Sequence, residues 1–201
     1  MNSPRATVVI CLLCLLGGCR EYNISQPIAL VPSTSFSALE KTALSHAAQC
    51  WNYRFGTKFS VPDKASHLQQ VVVDYEDAIC PLARAGTTAY FPAAVYICPP
   101  KYFNAERRII EDTFFAIVLH ELGHVLNIRD HAERGRELSV MAPSSRGPSP
   151  LIPHRFSAAD VQLLQAANPD FLIDSPCREV LIPSDFGGKD NPDYHGCSCL
   201  R

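Results

Sequence analysis

Two histidines and a glutamate in the stretch His120-Glu121-Leu122-Gly123-His124 have the types and spacing to hold and use a metal ion. On a helix, His120 and His124 are four residues apart, so their imidazoles leave one face about a turn apart. That separation lets two ring nitrogens reach one zinc ion at about 2.0–2.1 Å each. Glu121 then points to the side of the ion, where its carboxylate can take a proton from a bound water without becoming a ligand. Zinc lowers that water's pKa toward about 7 and polarises a carbonyl, which is enough for amide hydrolysis at neutral pH. The pattern also arises by chance, as two histidines and a glutamate on a half-exposed helix face. Leu119, Leu122, Val125 and Leu126 argue against that reading, because they make this a core helix in which ionisable groups need partners.

A tetrahedral catalytic site needs a third protein ligand, so the chain must leave the helix and turn back. A left-handed residue at Asn127 would do this; glycine is cheapest there and asparagine the best substitute. Three residues beyond the break stands Asp130, whose carboxylate oxygen can bind zinc at about 2.0–2.2 Å. Spacing favours Asp130, with His131 as its rival. His46, His67, His154 and His195 read as structural or exposed.

These residues must be positioned by the elements around them. Residues 105–127 form the longest helical pattern, with Ile109, Ile110, Phe114, Ile117, Val118, Leu122 and Val125 covering more than one face, so this helix should be largely buried. Upstream, residues 35–55 read as a helix capped by Ser35 or Ser37 and ended by Gly56. Residues 58–61 and 68–75 are strand candidates, the second built on Val71-Val72-Val73. Residues 86–98 are β-prone but broken by Pro92, which predicts an edge strand or two strands joined at a turn. Residues 143–153 are loop, and 156–167 form a last helix with Ser157 as N-cap and Asp160 in the acidic capping position. The order is an α+β pattern: a small mixed sheet with an edge strand over a long active-site helix.

HELGHVLNIRD resembles the metzincin zinc-protease motif HExxHxxGxxH/D, and its aspartate form is similar to that of snapalysin-type secreted proteases. Ser139-Val140-Met141-Ala142-Pro143 resembles the metzincin Met-turn, whose methionine lies as a hydrophobic floor under the metal. Pro143 stands where astacin-like relatives carry a tyrosine, so the resemblance implies a matrixin-like arrangement with no tyrosine ligand. Residues 156–167 resemble the helix that closes such domains. The resemblance covers about 35–168 and implies a zinc-dependent endopeptidase: His120, His124 and Asp130 on one catalytic Zn(2+), Glu121 as general base, Met141 beneath. It also implies that residues 86–97 supply an edge to which an extended peptide adds, and that the loop 142–155 walls a specificity pocket. There is no cysteine between Cys19 and the first helix, so latency through a cysteine switch is not expected. The calcium- and structural-zinc-binding loop of animal matrixins is not recognisable either.

The first residues read as targeting rather than fold. Arg5, the apolar run 6–16 and Leu16-Gly17-Gly18-Cys19 resemble a bacterial lipoprotein signal, in which Cys19 is acylated and becomes the first mature residue. Arg20 in place of an inner-membrane retention aspartate leans toward the outer membrane. The expected organisation is a signal peptide at 1–18, a lipidated tether at 19–34, a catalytic domain at 35–170 and a cysteine-containing tail at 171–201. Of nine cysteines, Cys11 and Cys14 leave with the signal and Cys19 takes lipid; the six that remain suit disulfides in an oxidising compartment. Cys80 and Cys98 are the preferred pair, since they bracket a loop and a strand. A chain of 201 residues, 47% hydrophobic and 19% charged with a net charge of −2, gives no footprint for nucleic acid. The expected partners are protein or peptide substrates of a membrane-anchored monomer. A zinc-bearing surface lipoprotein that binds a protein without cleaving it is the alternative function. Glu121 argues against it, because zinc binding alone does not require that residue.

Overall fold

A computed structural model describes residues 22–62, 69–82, 86–90, 93–99, 110–132, 139–142 and 156–173. The stretch read as a signal peptide, Cys19, residues 143–155 and the residues beyond 173 with their three cysteines lie outside the described residues, as do His67, His154 and His195. Five strands form one sheet: β1 (Ile28–Pro32), β2 (Phe59–Ser60), β3 (Gln69–Tyr75), β4 (Gly86–Tyr90) and β5 (Ala93–Ile97). Their spatial order is β2-β1-β3-β5-β4. All neighbours run parallel except β4, which pairs antiparallel with β5 from Gly86 opposite Ile97 to Tyr90 opposite Ala93. The proline-broken run 86–98 is therefore two strands of one hairpin. Among the described residues β4 has β5 as its single partner, so one of its edges is unpaired.

The stretch expected to be a tether is instead part of the fold. β1 lies between β2 and β3, and Ile28, Ala29 and Leu30 are fully buried. A parallel strand covered on both faces reads as a continuous apolar run rather than an alternation, and Ile28-Ala29-Leu30-Val31 is such a run. Tyr22 and Ile24 are buried as well, so the domain begins well before residue 35.

Helix α1 (Ala38–Phe55) starts at a capping box: Ser37 Oγ accepts from the Glu40 amide at 3.2 Å, and Glu40 Oε2 accepts from the Ser37 amide at 2.6 Å. Glu40 Oε1 also takes the Tyr75 hydroxyl, which fastens the start of α1 to the end of β3. Gly56 ends α1 in the left-handed conformation at φ 74°. Helix α2 (Ile110–Val125) packs on α1 and against β4 and β5. Every residue from Phe114 to Leu119 is buried, as an all-round apolar helix requires. Between α1 and α2 the Trp51 indole donates to the Leu119 carbonyl at 2.9 Å. Trp51, Phe55 and Phe156 form an aromatic cluster with centroids 4.7–5.1 Å apart. Helix α3 (Ala158–Ala167) closes the domain.

Cys80, in a 3-10 turn at Asp77–Leu82, is bonded to Cys98 at the end of β5, the expected pair. Cys50 on α1 is also held in a disulfide. Among the described residues no helix is long and apolar enough to cross a membrane.

Gly123 faces the tightest packing in α2. A Cβ there would sit 2.2 Å from Met141 Sδ and 3.1 Å from Trp51 Cζ2. Alanine would gain about 1 kcal/mol of helix propensity, but overpacking a fully buried site costs about 1–3 kcal/mol. Gly123→Ala should therefore lower stability by up to about 2 kcal/mol in urea unfolding of the metal-free protein; a higher midpoint would contradict this packing.

Candidate metal centre

The end of α2 sets the direction in which the chain returns. Asn127 takes φ 66°, the left-handed break expected of it. Its amide bonds to the His124 carbonyl at 3.0 Å, and the Ile128 amide bonds to the Gly123 carbonyl at 3.2 Å. These two bonds are the Schellman pattern, with asparagine in the place usually held by glycine. The side chain does more than tolerate the turn. Asn127 Nδ2 donates to the Tyr22 carbonyl and to Asn168 Oδ1, each at 3.0 Å, while Asn168 Nδ2 donates to the Leu126 carbonyl at 2.7 Å. The break is thereby tied to the chain's first described residue and to the end of α3.

Beyond the turn Ile128 is buried, while Arg129, Asp130 and His131 are exposed. The residues brought together are His120, His124 and His131, whose ligand atoms all lie within 4.8 Å of one another. Their ring centroids form a near-equilateral triangle with sides of 4.9, 5.0 and 5.1 Å. Spacing favours Asp130 as the third ligand, but Asp130 is not a member of this group. The physical reason is the turn itself. Ile128 is directed into the core and its carbonyl accepts from His124, so the next two residues face outward. The chain is then drawn back where the Ala132 amide donates to the Met141 carbonyl at 2.9 Å, and the imidazole of His131 comes with it.

The geometry selects which ring nitrogens are available. His120 Nδ1 lies 2.7 Å from the Val140 carbonyl, and His124 Nδ1 lies 2.6 Å from the Ile128 carbonyl. A carbonyl accepts only, so each neutral ring carries its proton on Nδ1 and leaves Nε2 with a lone pair. This is the arrangement that orients a histidine ligand toward a metal. Burial pushes the His120 ring down to about 3, repulsion from His124 adds to this, and the bond to Val140 opposes it. His124 is lowered by burial against the opposing bond to Ile128, and His131 by burial against its neighbour Asp130. Three neutral imidazoles, two of them directed by carbonyls, fit a divalent metal ion; three charged ones would repel each other.

Met141 is fully buried in the turn 139–142, packed against Gly123 of α2. Asp160, read from sequence as a capping residue, does more than cap. Its carboxylate accepts from Ser139 Oγ at 2.6 Å, from the amides of Met141 and Val140 at 2.9 and 3.2 Å, and from Ser157 N and Oγ at 2.7 and 3.1 Å. The acidic N-cap motif flags Asp160, but nothing in it points to a turn twenty residues upstream. Glu121 is buried beside the imidazoles, and Thr88 of β4 donates to its Oε2 at 2.7 Å. No spacing rule in the sequence joins Thr88 to Glu121. No protein-family model matches the chain, and no curated protein matches it.

Two outcomes are expected of the metal-free protein. In Asp160→Asn, an amide nitrogen would face backbone or hydroxyl donors in place of an oxygen. That should cost about 3 kcal/mol or more of stability in urea unfolding and, by loosening Val140, weaken metal binding by about 10–100-fold in a chelator competition. The second concerns pH. A ring whose proton is disfavoured by burial binds it more readily in the unfolded chain. The stability these rings contribute is complete above the ordinary histidine value of 6.5 and is lost as pH falls from there toward 3. Urea midpoints of the metal-free protein should thus already fall between pH 6.5 and 5, above the range where ordinary carboxylates titrate; a flat profile there would contradict the burial of these rings.

Proposed function

We propose that the chain is a zinc-dependent endopeptidase of the metzincin type, with His120, His124 and His131 as ligands and Glu121 as general base. The observation that carries this reading is the triangle of imidazoles, with a buried glutamate next in the chain to His120 that is bonded to a strand whose outer edge is unpaired among the described residues. A triangle of histidines alone suits any metal-binding role. The adjacent carboxylate and the strand edge are what peptide hydrolysis adds to it. An antiparallel edge strand ahead of the helix, a buried methionine turn after it and a closing helix follow in the order that the resemblance implies.

A bound zinc ion would polarise the scissile carbonyl and bring the pKa of a water near about 7. The protein's own groups do the rest. The outer edge of β4 takes an extended peptide by main-chain hydrogen bonds. Glu121 removes a proton from the attacking water and returns it to the leaving amine. The carbonyls of Val140 and Ile128 hold His120 and His124 in the orientation that binding requires.

Export and acylation at Cys19 belong to the same reading. Because Tyr22 is already packed, an acyl anchor would be joined to the domain through Arg20 and Glu21 alone, a reach of at most about 10 Å. The domain would then lie against the bilayer rather than range above it.

The deciding experiment is metal analysis and peptide-library cleavage by the form that starts after Cys19. Wild type should bind one zinc ion (roughly one per chain) and cleave in a chelator-sensitive way. Glu121→Gln should keep the metal and lose about 100-fold or more of kcat; cleavage at the wild-type level would sink the assignment. His131→Ala should weaken zinc binding by more than the roughly 10–100-fold that a lost supporting hydrogen bond costs, and Asp130→Ala should affect it far less. The reverse order would return the third-ligand role to Asp130.

A further inference from the structure

Side chains of β4 alternate between the two faces of the sheet, so Gly86 and Thr88 share a face. Both meet Glu121. The Thr88 hydroxyl donates to Glu121 Oε2 at 2.7 Å, with the Glu121 carbonyl at 3.2 Å. A Cβ on Gly86 would lie 2.8 Å from Glu121 Oε1, 2.9 Å from Glu121 Cγ and 2.8 Å from Ile117 Cγ2. Thr88 closes on the carboxylate, and the bare face of Gly86 lets the strand come that near. Thr88 is itself held in register opposite Val95 of β5, and a β-branched residue has little χ1 freedom to lose. A hydroxyl donating to a carboxylate is among the stronger hydrogen bonds available to a protein.

We propose that Thr88 is a positioning residue for Glu121: it fixes the orientation of the carboxylate and couples it to the strand that takes the substrate. This rests on the peptidase reading. Base and peptide are then located by one strand, Glu121 through its inner face and the peptide through its outer edge. Without the hydroxyl the carboxylate loses this restraint from the strand, and a misplacement of about 1 Å in such a group can cost on the order of 100-fold in rate.

The test compares Thr88→Val, which keeps shape and strand preference but removes the donor, with Thr88→Ser, which keeps the donor. In the purified, metal-loaded full chain, Thr88→Val should lower kcat by roughly 10–100-fold, with KM within about twofold and metal content unchanged. Thr88→Ser should restore most of the rate. A wild-type kcat in Thr88→Val, a loss that appears in KM or metal content instead, or a Thr88→Ser as slow as Thr88→Val would each overturn the proposal. A readout independent of activity is the double-mutant cycle of Thr88→Val with Glu121→Ala on urea unfolding after chelation. Coupling of roughly tenfold in the unfolding equilibrium is expected, and additive effects would overturn the contact whatever the enzyme does. Absence of cleavage by wild type would overturn the peptidase reading and this role with it, an outcome set apart from the others by the wild-type control.

Discussion

The Asp160 carboxylate, fully buried, is the constraint on which the geometry of the metal centre depends. A carboxylate out of water must be surrounded by donors, and this one finds five, two from Ser157 at the start of α3 and three from Ser139, Val140 and Met141. Satisfying one buried group therefore forces two segments separated in sequence to meet in a single arrangement. Half of the candidate centre follows from where the turn 139–142 is thereby placed. Its Val140 carbonyl sets the His120 ring. Its Met141 carbonyl holds the Ala132 amide, and so brings the preceding His131 back to the helix. Its Met141 side chain lies on Gly123, one residue before His124.

The other half of the centre is set from below, by α2. Trp51 reaches from α1 to bond the Leu119 carbonyl and lies close enough to Gly123 that a methyl group would not fit freely there. Glycine within a helix is ordinarily a loss of about 1 kcal/mol relative to alanine. Here that loss is offset by the close approach of a tryptophan and a methionine to the helix backbone. The helix that presents His120 and His124 is thus fixed against α1 on one side and the methionine turn on the other. Both histidines leave the helix itself, and their rings are then oriented by the Val140 and Ile128 carbonyls outside it.

How much of this was legible in the sequence depends on the range of the interaction. Local rules work well: the Ser37 and Ser157 capping boxes, the left-handed Asn127 and the Val-rich strand β3 are each dictated by neighbours within a few residues, and each stands where such rules put it. β1 was not legible, because a parallel strand buried on both faces lacks the period-two signal and its proline and polar neighbours imitate a linker. Which residue gathers with His120 and His124 was not legible either, for a different reason. Residue spacing counts positions along the chain, whereas ligation depends on which way each residue faces after a turn. The inward Ile128 side chain and the Ala132–Met141 bond decide that direction, and both are products of the assembled domain. The partners of Asp160 and of Glu121 are likewise non-local, so sequence marks the residues but not what they hold.

A site built in this way exists before any ion arrives, and that has an energetic consequence. Three imidazoles lie with centroids about 5 Å apart, and burial opposes a proton on each, most strongly on His120, where repulsion from its neighbours adds to it. The carbonyls of Val140 and Ile128 then leave the lone pair on Nε2 in two of them. The cost of desolvating and ordering these rings is met during folding, by the packing of α2 and by the Asp160 network, and not at the moment of binding. A metal ion would therefore gain nearly the full interaction with its ligands. The same reasoning extends to Glu121. Its carboxylate is buried and already held by Thr88, so on the proposed peptidase reading little reorganisation would remain for a proton transfer, the condition under which a preformed polar site lowers a barrier.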